Sequence, residues 1–175
     1  FFVGAGDGDV GVVLHCEGDA FGGNHFHWVA VAGADDEGFV FDLIPGQSMV
    51  EYLLKQGFDV YMIDWDPPVM KERGLGLADY THRFIPRCIE EVQADCGEED
   101  VNILAYCQGG VLSLIYAATH TEGPLKNLVC LTTPVNFEEM GLFRIWSSEE
   151  YLDVDHMTET LGIIPASFIE AGFEM

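Results

Sequence analysis

Residues 101–119 read VNILAYCQGGVLSLIYAAT and decide the fold of this 175-residue chain. Residues 101–106 are largely apolar, which predicts a strand buried on both faces. Cys107 follows this strand directly, and Gly109 and Gly110 stand at the start of an apolar run that predicts a helix over 108–119. A sharp turn from strand to helix at a nucleophilic residue is typical of a nucleophile elbow, usually spelled G-x-S-x-G. Here Ala105 replaces the first glycine and cysteine replaces serine.

The elements around this turn predict an α/β fold. Residues 58–64 are rich in β-branched and aromatic side chains and indicate a strand, and 128–132 indicate another. Ser48 is positioned to cap a helix that Gly57 ends, and helical spacing of apolar residues predicts a second helix over 77–95, with Pro86 as a kink or a late start. Strands that alternate with helices at this spacing predict a parallel sheet with right-handed crossovers.

The turn at Cys107 is the candidate catalytic site. At the start of a helix, the dipole and the unpaired amides favour a thiolate over a thiol. The backbone amide of Gln108 would face an oxyanion formed on the attacked carbonyl. Asp64 ends the strand over 58–64 on the same edge of the sheet, and two prolines predict that Trp65 and residues 66–68 form a loop after it. Asp64 and Trp65 are therefore candidates to line the pocket. The alternative for Asp64 is that it caps the turn with Trp65. The alternative interpretation of Cys107 is a buried structural cysteine.

A catalytic cysteine needs a base, and the sequence offers no clear one. His120 lies at the far end of the helix that begins after Cys107, so we expect it to be about 20 Å away. His82 is expected to be solvated, and His156 lies in a late segment that resembles a cap. The other histidines are in the Gly/Asp-rich first segment: His15, His25 and His27. Cys88 and Cys130 are expected to be core residues.

Composition limits the other functions. The chain carries 7 Lys and Arg against 30 Asp and Glu, a net charge of −23, which argues against nucleic-acid binding because phosphate contacts need clustered cations. No apolar run is long enough to predict a membrane span. The five cysteines form no CxxC pair, which indicates reduced thiols in a cytoplasm. We predict no metal site and no cofactor.

From Phe39 to Met175 the chain resembles the catalytic subunit of polyhydroxyalkanoate (poly-3-hydroxybutyrate) synthases, most closely the class III haloarchaeal type. The matching stretches are DLIPGQSMVEYLLKQGFDVYMIDWD (42–66), NILAYCQGGVLSLIYAA (102–118), NLVCLTTPVNF (127–137) and TLGIIPASFIEAGFEM (160–175). The resemblance implies an α/β-hydrolase fold and an acyltransferase that polymerises 3-hydroxyacyl-coenzyme A, with Cys107 carrying the growing polyester as a thioester. It also implies an accessory synthase subunit and a location at polymer granules in the cytoplasm.

The resemblance divides the chain into three parts. Residues 1–38 form an irregular segment that does not match the family, 39–137 form a portion of the α/β-hydrolase core, and 138–175 begin a cap region. The family's catalytic Asp and His lie beyond that cap, so we expect this chain to be a partial sequence that lacks them. Two alternatives stay open: a cysteine-type hydrolase of small esters or lactones, and an inactive fragment that at most binds a partner subunit.

The charge predicts a dependence on salt. Acidic residues spread along the chain repel one another in dilute buffer, whereas at molar salt the Debye length falls to about 3 Å. We therefore expect the fold to be lost on dialysis from molar to millimolar salt, measured by circular dichroism. An unchanged spectrum would contradict adaptation to a high-salt cytoplasm.

Overall fold

The computed structural model describes residues 2–3, 11–16, 27–31, 40–65 and 70–164. The chain forms two compact units. The first comprises Phe1–Pro67 and Gly76–Pro134, and the second comprises Pro68–Leu75 and Val135–Met175. None of the helices in the described ranges combines the length and the apolar character needed to cross a bilayer.

The first unit is built around a sheet with the strand order β1-β2-β6-β3-β7-β8, and β4 and β5 form a separate hairpin. Strands β6, β3, β7 and β8 run parallel to one another, while β2 pairs antiparallel with β6 and β1 antiparallel with β2. The strands are β1 (Phe2–Val3), β2 (Gly11–Cys16), β3 (His27–Val31), β4 (Asp42–Ile44), β5 (Gln47–Ser48), β6 (Asp59–Trp65), β7 (Val101–Tyr106) and β8 (Leu125–Leu131). The predicted parallel α/β sheet is confirmed.

Helices connect these strands. The described helices are α1 (Met49–Lys55), α2 (Leu77–Asp79), α3 (Ile85–Cys96), α4 (Gln108–Thr119), α5 (Leu142–Trp146) and α6 (Val154–Leu161). A 3-10 turn spans Met70–Glu72, and a π-helical turn, Tyr80–Phe84, joins α2 to α3. Helices α5 and α6 belong to the second unit and the others to the first.

The core of the first unit lies on both faces of the central strands. On one face Ala30, Val60 and Leu104 pack with Phe41 and with Val50 of α1. Because successive strand residues point to opposite faces, the opposite face carries a second set of buried residues. They are Val29, Val31, Tyr61, Ile63, Ile103 and Ala105. Burial on both faces explains why 101–106 is a nearly continuous apolar run.

Local signals in the sequence predict most element boundaries. The backbone amide of Glu51 donates to the Ser48 hydroxyl at 2.8 Å, so Ser48 caps α1 as predicted, and Gly57 ends that region with a φ of 84°. The predicted helix over 77–95 is interrupted just before Pro86. There the amide of Ile85 donates to the Tyr80 carbonyl, five residues back, because proline cannot donate the usual helical bond.

Two expectations need correction. Trp65 was expected in a loop with residues 66–68, but it is the last residue of β6, since its indole gains burial by packing on the π-helical turn. Residues 66–68 lie outside the described residues. Cys130 was expected in the core, but its side chain is exposed, because among the described strands β8 pairs only with β7.

The first 38 residues were interpreted as irregular, with short strands. The described parts of this segment contribute β1, β2 and β3, and β3 stands between β6 and β7 in the sheet. The three-part division of the chain stays a prediction. One boundary between the two compact units falls between Pro134 and Val135 in the sequence.

Side-chain amides tie three strands together at the amino ends of the parallel strands. The Asn102 side-chain amide donates to the His27 carbonyl at 3.0 Å, and the Asn127 amide donates to Asn102 Oδ1 at 2.7 Å. Asn102 is 5% exposed and its bond to His27 is buried, so this bond forms with little competition from water. They fix the alignment of β3, β7 and β8.

Replacing Asn102 tests this linkage. The change Asn102→Ala removes both bonds from a buried site, and we expect the free energy of unfolding to fall by about 1–3 kcal/mol. Denaturant unfolding in high salt measures it. Asn127→Ala is the matched control, because it leaves the bond from Asn102 to His27 intact. It should therefore lower the free energy of unfolding by less than Asn102→Ala does. An equal or larger loss in the control would contradict the assigned role of Asn102.

Candidate active site

Cys107 occupies a strained backbone conformation between β7 and α4. Its φ is 48° and its ψ is −118°. Residues other than glycine rarely adopt such angles, and holding one there costs about 1–3 kcal/mol of conformational free energy. The predicted strand-to-helix turn at Cys107 is therefore present, and the strain is typical of residues at functional sites.

Hydrogen bonds hold the turn from both sides. The Cys107 amide donates to the carbonyl of Leu131, the last residue of β8, at 2.9 Å. The Cys107 carbonyl accepts from the amide of Gly110, in the first turn of α4, at 3.0 Å. The peptide groups before and after the sulfur-bearing residue are thus fixed by the sheet and by the helix.

The segment Leu131–Thr133, called here the clamp segment, packs directly against the start of α4. A Cβ atom added to Gly110 would overlap the side chain of Thr133, so only glycine fits without a shift. The Leu131 carbonyl also accepts hydrogen bonds from the hydroxyls of Thr132, at 2.9 Å, and Thr133, at 3.3 Å. Thr132 itself has a φ of 48°, which is unusual for a β-branched residue.

The surroundings of the sulfur suit a negative charge. The Cys107 side chain is partly exposed, so the alternative of a fully buried structural cysteine does not describe it. It stands at the amino-terminal end of α4, a helix of 12 residues, where the macrodipole is positive. Gln108 is the first residue of α4, so its amide has no helical acceptor and is available to an oxygen above the turn.

The candidate pocket residues Asp64 and Trp65 stand at the carboxyl end of β6. Strand β3 separates β6 from β7, which puts the two strand ends about 10 Å apart at the usual spacing. Asp64 is half-buried. The Trp65 indole is only 2% exposed and packs against Tyr80 and Phe84 at ring-centroid distances of 5.4 and 6.5 Å, so in this structure it is a core residue. The roles of both residues in a pocket stay predictions.

Two described histidines of the first unit, His120 and His27, lie far from Cys107. His120 caps the far end of α4, about 18 Å from the turn at the helical rise per residue. His27 is the first residue of β3, at the amino ends of the parallel strands, whereas Cys107 follows the carboxyl end of β7. The His27 Nδ1 lies 3.5 Å from the Asp59 carboxylate. His25 lies outside the described residues, and His156 is on α6 of the second unit.

The clamp segment is the part of the site that the sequence analysis missed. The signal available was the TTP triplet at 132–134, directly after a predicted strand that runs parallel to the one ending at Cys107. Carboxyl ends of adjacent parallel strands meet at one edge, which could have placed Thr132 and Thr133 beside the turn.

A strained cysteine between a parallel strand and a helix defines an α/β fold with the backbone geometry of a nucleophile elbow. Residues 40–155 match the family model of the alpha/beta hydrolase fold, and the chain belongs to this family. Solved structures agree on the fold. A putative lipase from Sulfolobus solfataricus aligns with a TM-score of 0.57 at 17% identity, over 74% of this chain and 47% of that one. A carboxylesterase of Nitrososphaera gargenis aligns with a TM-score of 0.56 at 17% identity, over 93% and 54%.

Curated relatives are more similar in sequence. The poly(3-hydroxyalkanoate) polymerase subunit PhaC of Haloferax mediterranei is 36% identical over 138 residues, which are 78% of this chain and 28% of that protein. The subunit of the same name from Allochromatium vinosum is 36% identical over 136 residues, 77% of this chain and 38% of its own length. The chain therefore spans between a quarter and two-fifths of the length of these two relatives.

The contact between Gly110 and Thr133 generates a double-mutant prediction. We expect Gly110→Ala to lower the melting temperature markedly, because the new methyl group overlaps Thr133. Adding Thr133→Ala should restore part of the loss, with a coupling energy of about 0.5–3 kcal/mol. Gly74→Ala is the control, since a Cβ there meets nothing within 4 Å. Strictly additive effects of the two changes would contradict the contact.

Proposed function

We propose that the chain carries the nucleophile of an acyltransferase that polymerises 3-hydroxyacyl-coenzyme A into polyhydroxyalkanoate. The observation that carries this proposal is the placement of Cys107, a partly exposed thiol held at a strained turn against the amino terminus of α4. The sequence similarity to polymerase subunits supports the substrate class. A substrate of this kind presents a thioester carbonyl, which a thiolate attacks readily.

The first half of the reaction is an exchange between thioesters. The Cys107 thiolate attacks the carbonyl carbon of the coenzyme A thioester, and the carbonyl oxygen takes up the negative charge. The Gln108 amide donates to this oxygen, which stabilises the tetrahedral intermediate. The bond between the carbon and the coenzyme A sulfur then breaks, coenzyme A leaves as a thiolate, and the acyl group remains on Cys107. Because one thioester replaces another, the step is nearly balanced in free energy.

The second half transfers the acyl group to a hydroxyl. The hydroxyl of a 3-hydroxyacyl group attacks the Cys107 thioester, forms an ester, and releases the Cys107 sulfur as the hydroxyl loses its proton. A general base must accept that proton, and we assign this role to none of the described histidines. Gly110 contributes by letting α4 begin close to the clamp segment, and Gly109 adds no side chain beside the sulfur.

Three other cysteines, Cys88, Cys96 and Cys130, are poorer candidates. Cys88 is 2% exposed in the core, and burial raises the pKa of the Cys96 thiol, which disfavours a thiolate. Cys130 is exposed but lies within β8 and does not itself begin a helix. Of these four thiols, Cys107 alone combines access with the positive end of a helix.

The setting of the reaction also belongs to the proposal. We propose that the enzyme needs no metal or cofactor and takes coenzyme A only as part of its substrate. By similarity to proteins named as polymerase subunits, we propose an accessory synthase subunit as a partner and polymer granules in the cytoplasm of a high-salt organism as the location.

The rate of alkylation tests whether the start of α4 makes the Cys107 thiol more reactive. We expect iodoacetamide at neutral pH to label Cys107 about fivefold faster than Cys130, because a helix terminus stabilises a nearby charge by about 1 kcal/mol. Tandem mass spectrometry of tryptic peptides over time measures both rates in one sample, because fragmentation separates Cys107 from Cys88 and Cys96 within the peptide 88–126. The Cys130→Ser variant checks that labelling of Cys107 is independent of the second exposed thiol. Equal rates would contradict the proposed role of α4.

Turnover of hydroxybutyryl-coenzyme A by the full-length gene product tests the reaction itself. We expect release of coenzyme A together with insoluble polyester, and loss of both in Cys107→Ala, whereas Cys130→Ser should retain them. Release of coenzyme A with free hydroxybutyrate and no polymer would instead support the alternative, a cysteine-type hydrolase. Full polymer formation by Cys107→Ala would overturn the proposal.

A further inference from the structure

Two histidines lie side by side where the π-helical turn meets the end of α4. His82 belongs to the turn Tyr80–Phe84, and His120 follows the last residue of α4. Their ring centroids are 5.3 Å apart, with an angle of 41° between the ring planes. The pair is about 18 Å from Cys107 along α4, so it is separate from the candidate active site.

The hydrogen bonds of His120 determine which ring nitrogen can act as a ligand. Its Nδ1 lies 3.1 Å from the Tyr116 carbonyl oxygen, which can only accept a hydrogen bond, so Nδ1 carries the proton. The Thr119 hydroxyl, 3.0 Å from Nδ1, donates to the Ile115 carbonyl and therefore also presents a lone pair to Nδ1. In the neutral ring, Nε2 is left with its lone pair. A metal-binding histidine commonly has its other nitrogen held by a carbonyl in this way.

The His120 ring is also fixed in orientation. It stacks on the Tyr116 ring at a centroid distance of 4.5 Å and an interplanar angle of 28°. His82 is exposed, and among the described residues neither of its ring nitrogens has a hydrogen-bond partner. His82 lies in a π-helical turn, a feature that is frequent at functional sites.

We propose that His82 and His120 bind a late divalent transition-metal ion, such as Zn²⁺ or Ni²⁺. An ion about 2.1 Å from one nitrogen of each ring would hold the two centroids about 5 Å apart at a tetrahedral angle, close to the separation seen. Imidazole nitrogens are suitable ligands for these ions. No group of three His, Cys, Asp or Glu with metal-binding potential occurs in the part of the chain that the structure describes, so water completes the coordination.

The net charge of −23 favours cations near the chain. The two ligands, His82 and His120, come from different elements of the fold. A bound ion would link the π-helical turn to the end of α4. Because the two rings come together only in the folded chain, the ion would bind the native state and raise its stability.

Titration with Ni²⁺ alone tests the site. Isothermal titration calorimetry in high-salt buffer is performed on the wild-type chain, His82→Gln, His120→Gln, the double variant and the control His156→Gln. We expect each single change to weaken binding by about tenfold or more, since even loss of a second-shell contact weakens metal affinity by about 10–100-fold. The double variant should bind no more weakly than the worse single variant, because one remaining imidazole cannot chelate.

The control removes an exposed histidine of the second unit and should leave the affinity unchanged. A second readout is the melting temperature, which Ni²⁺ should raise in the wild type and in His156→Gln but not in His82→Gln. Circular dichroism without metal verifies that the variants are folded. Equal affinity of the wild type and the double variant, or an equal loss in His156→Gln, would overturn the proposal. Neither result depends on acyltransferase activity.

Discussion

The hydrogen bond from the Cys107 amide to the Leu131 carbonyl is the interaction on which the candidate site depends. It extends the ladder between β7 and β8 by one residue beyond β7, into the strained turn. Tyr106 already pairs with Leu131 in the parallel register, so the turn begins at a position that the sheet defines. The strain at Cys107 persists because stronger constraints on either side leave the backbone no relaxed alternative.

The same carbonyl explains why β8 matters to the chemistry. Leu131 accepts hydrogen bonds from Cys107, Thr132 and Thr133, which gathers the end of one strand and the start of α4 around a single oxygen. The close approach of Thr133 then excludes any side chain at position 110. The second glycine of the CQGG sequence is thus needed for packing between neighbouring elements.

Much of this arrangement could be predicted from the sequence because its causes are local. An apolar strand, a cysteine and two glycines in succession predict the turn, and the Ser48 cap and Gly57 predict the ends of α1. The exposure of Cys130 and the burial of Trp65 could not be predicted, because they depend on which strands and helices become neighbours. The clamp segment was missed for the same reason: its contacts with Cys107 and Gly110 join residues more than twenty positions apart in the chain.

In the first unit, the side-chain amide bonds that align the strands and the turn that holds Cys107 lie at opposite ends of the parallel strands. The amides of Asn102 and Asn127 act at the amino ends, and the turn at Cys107 stands at the carboxyl end of β7. The five residue steps from Asn102 to Cys107 span about 16 Å, which is beyond the range at which substitutions normally interact energetically. An engineer could therefore raise or lower the stability at one end and retune the acyl chemistry at the other, and the two sets of changes would combine additively.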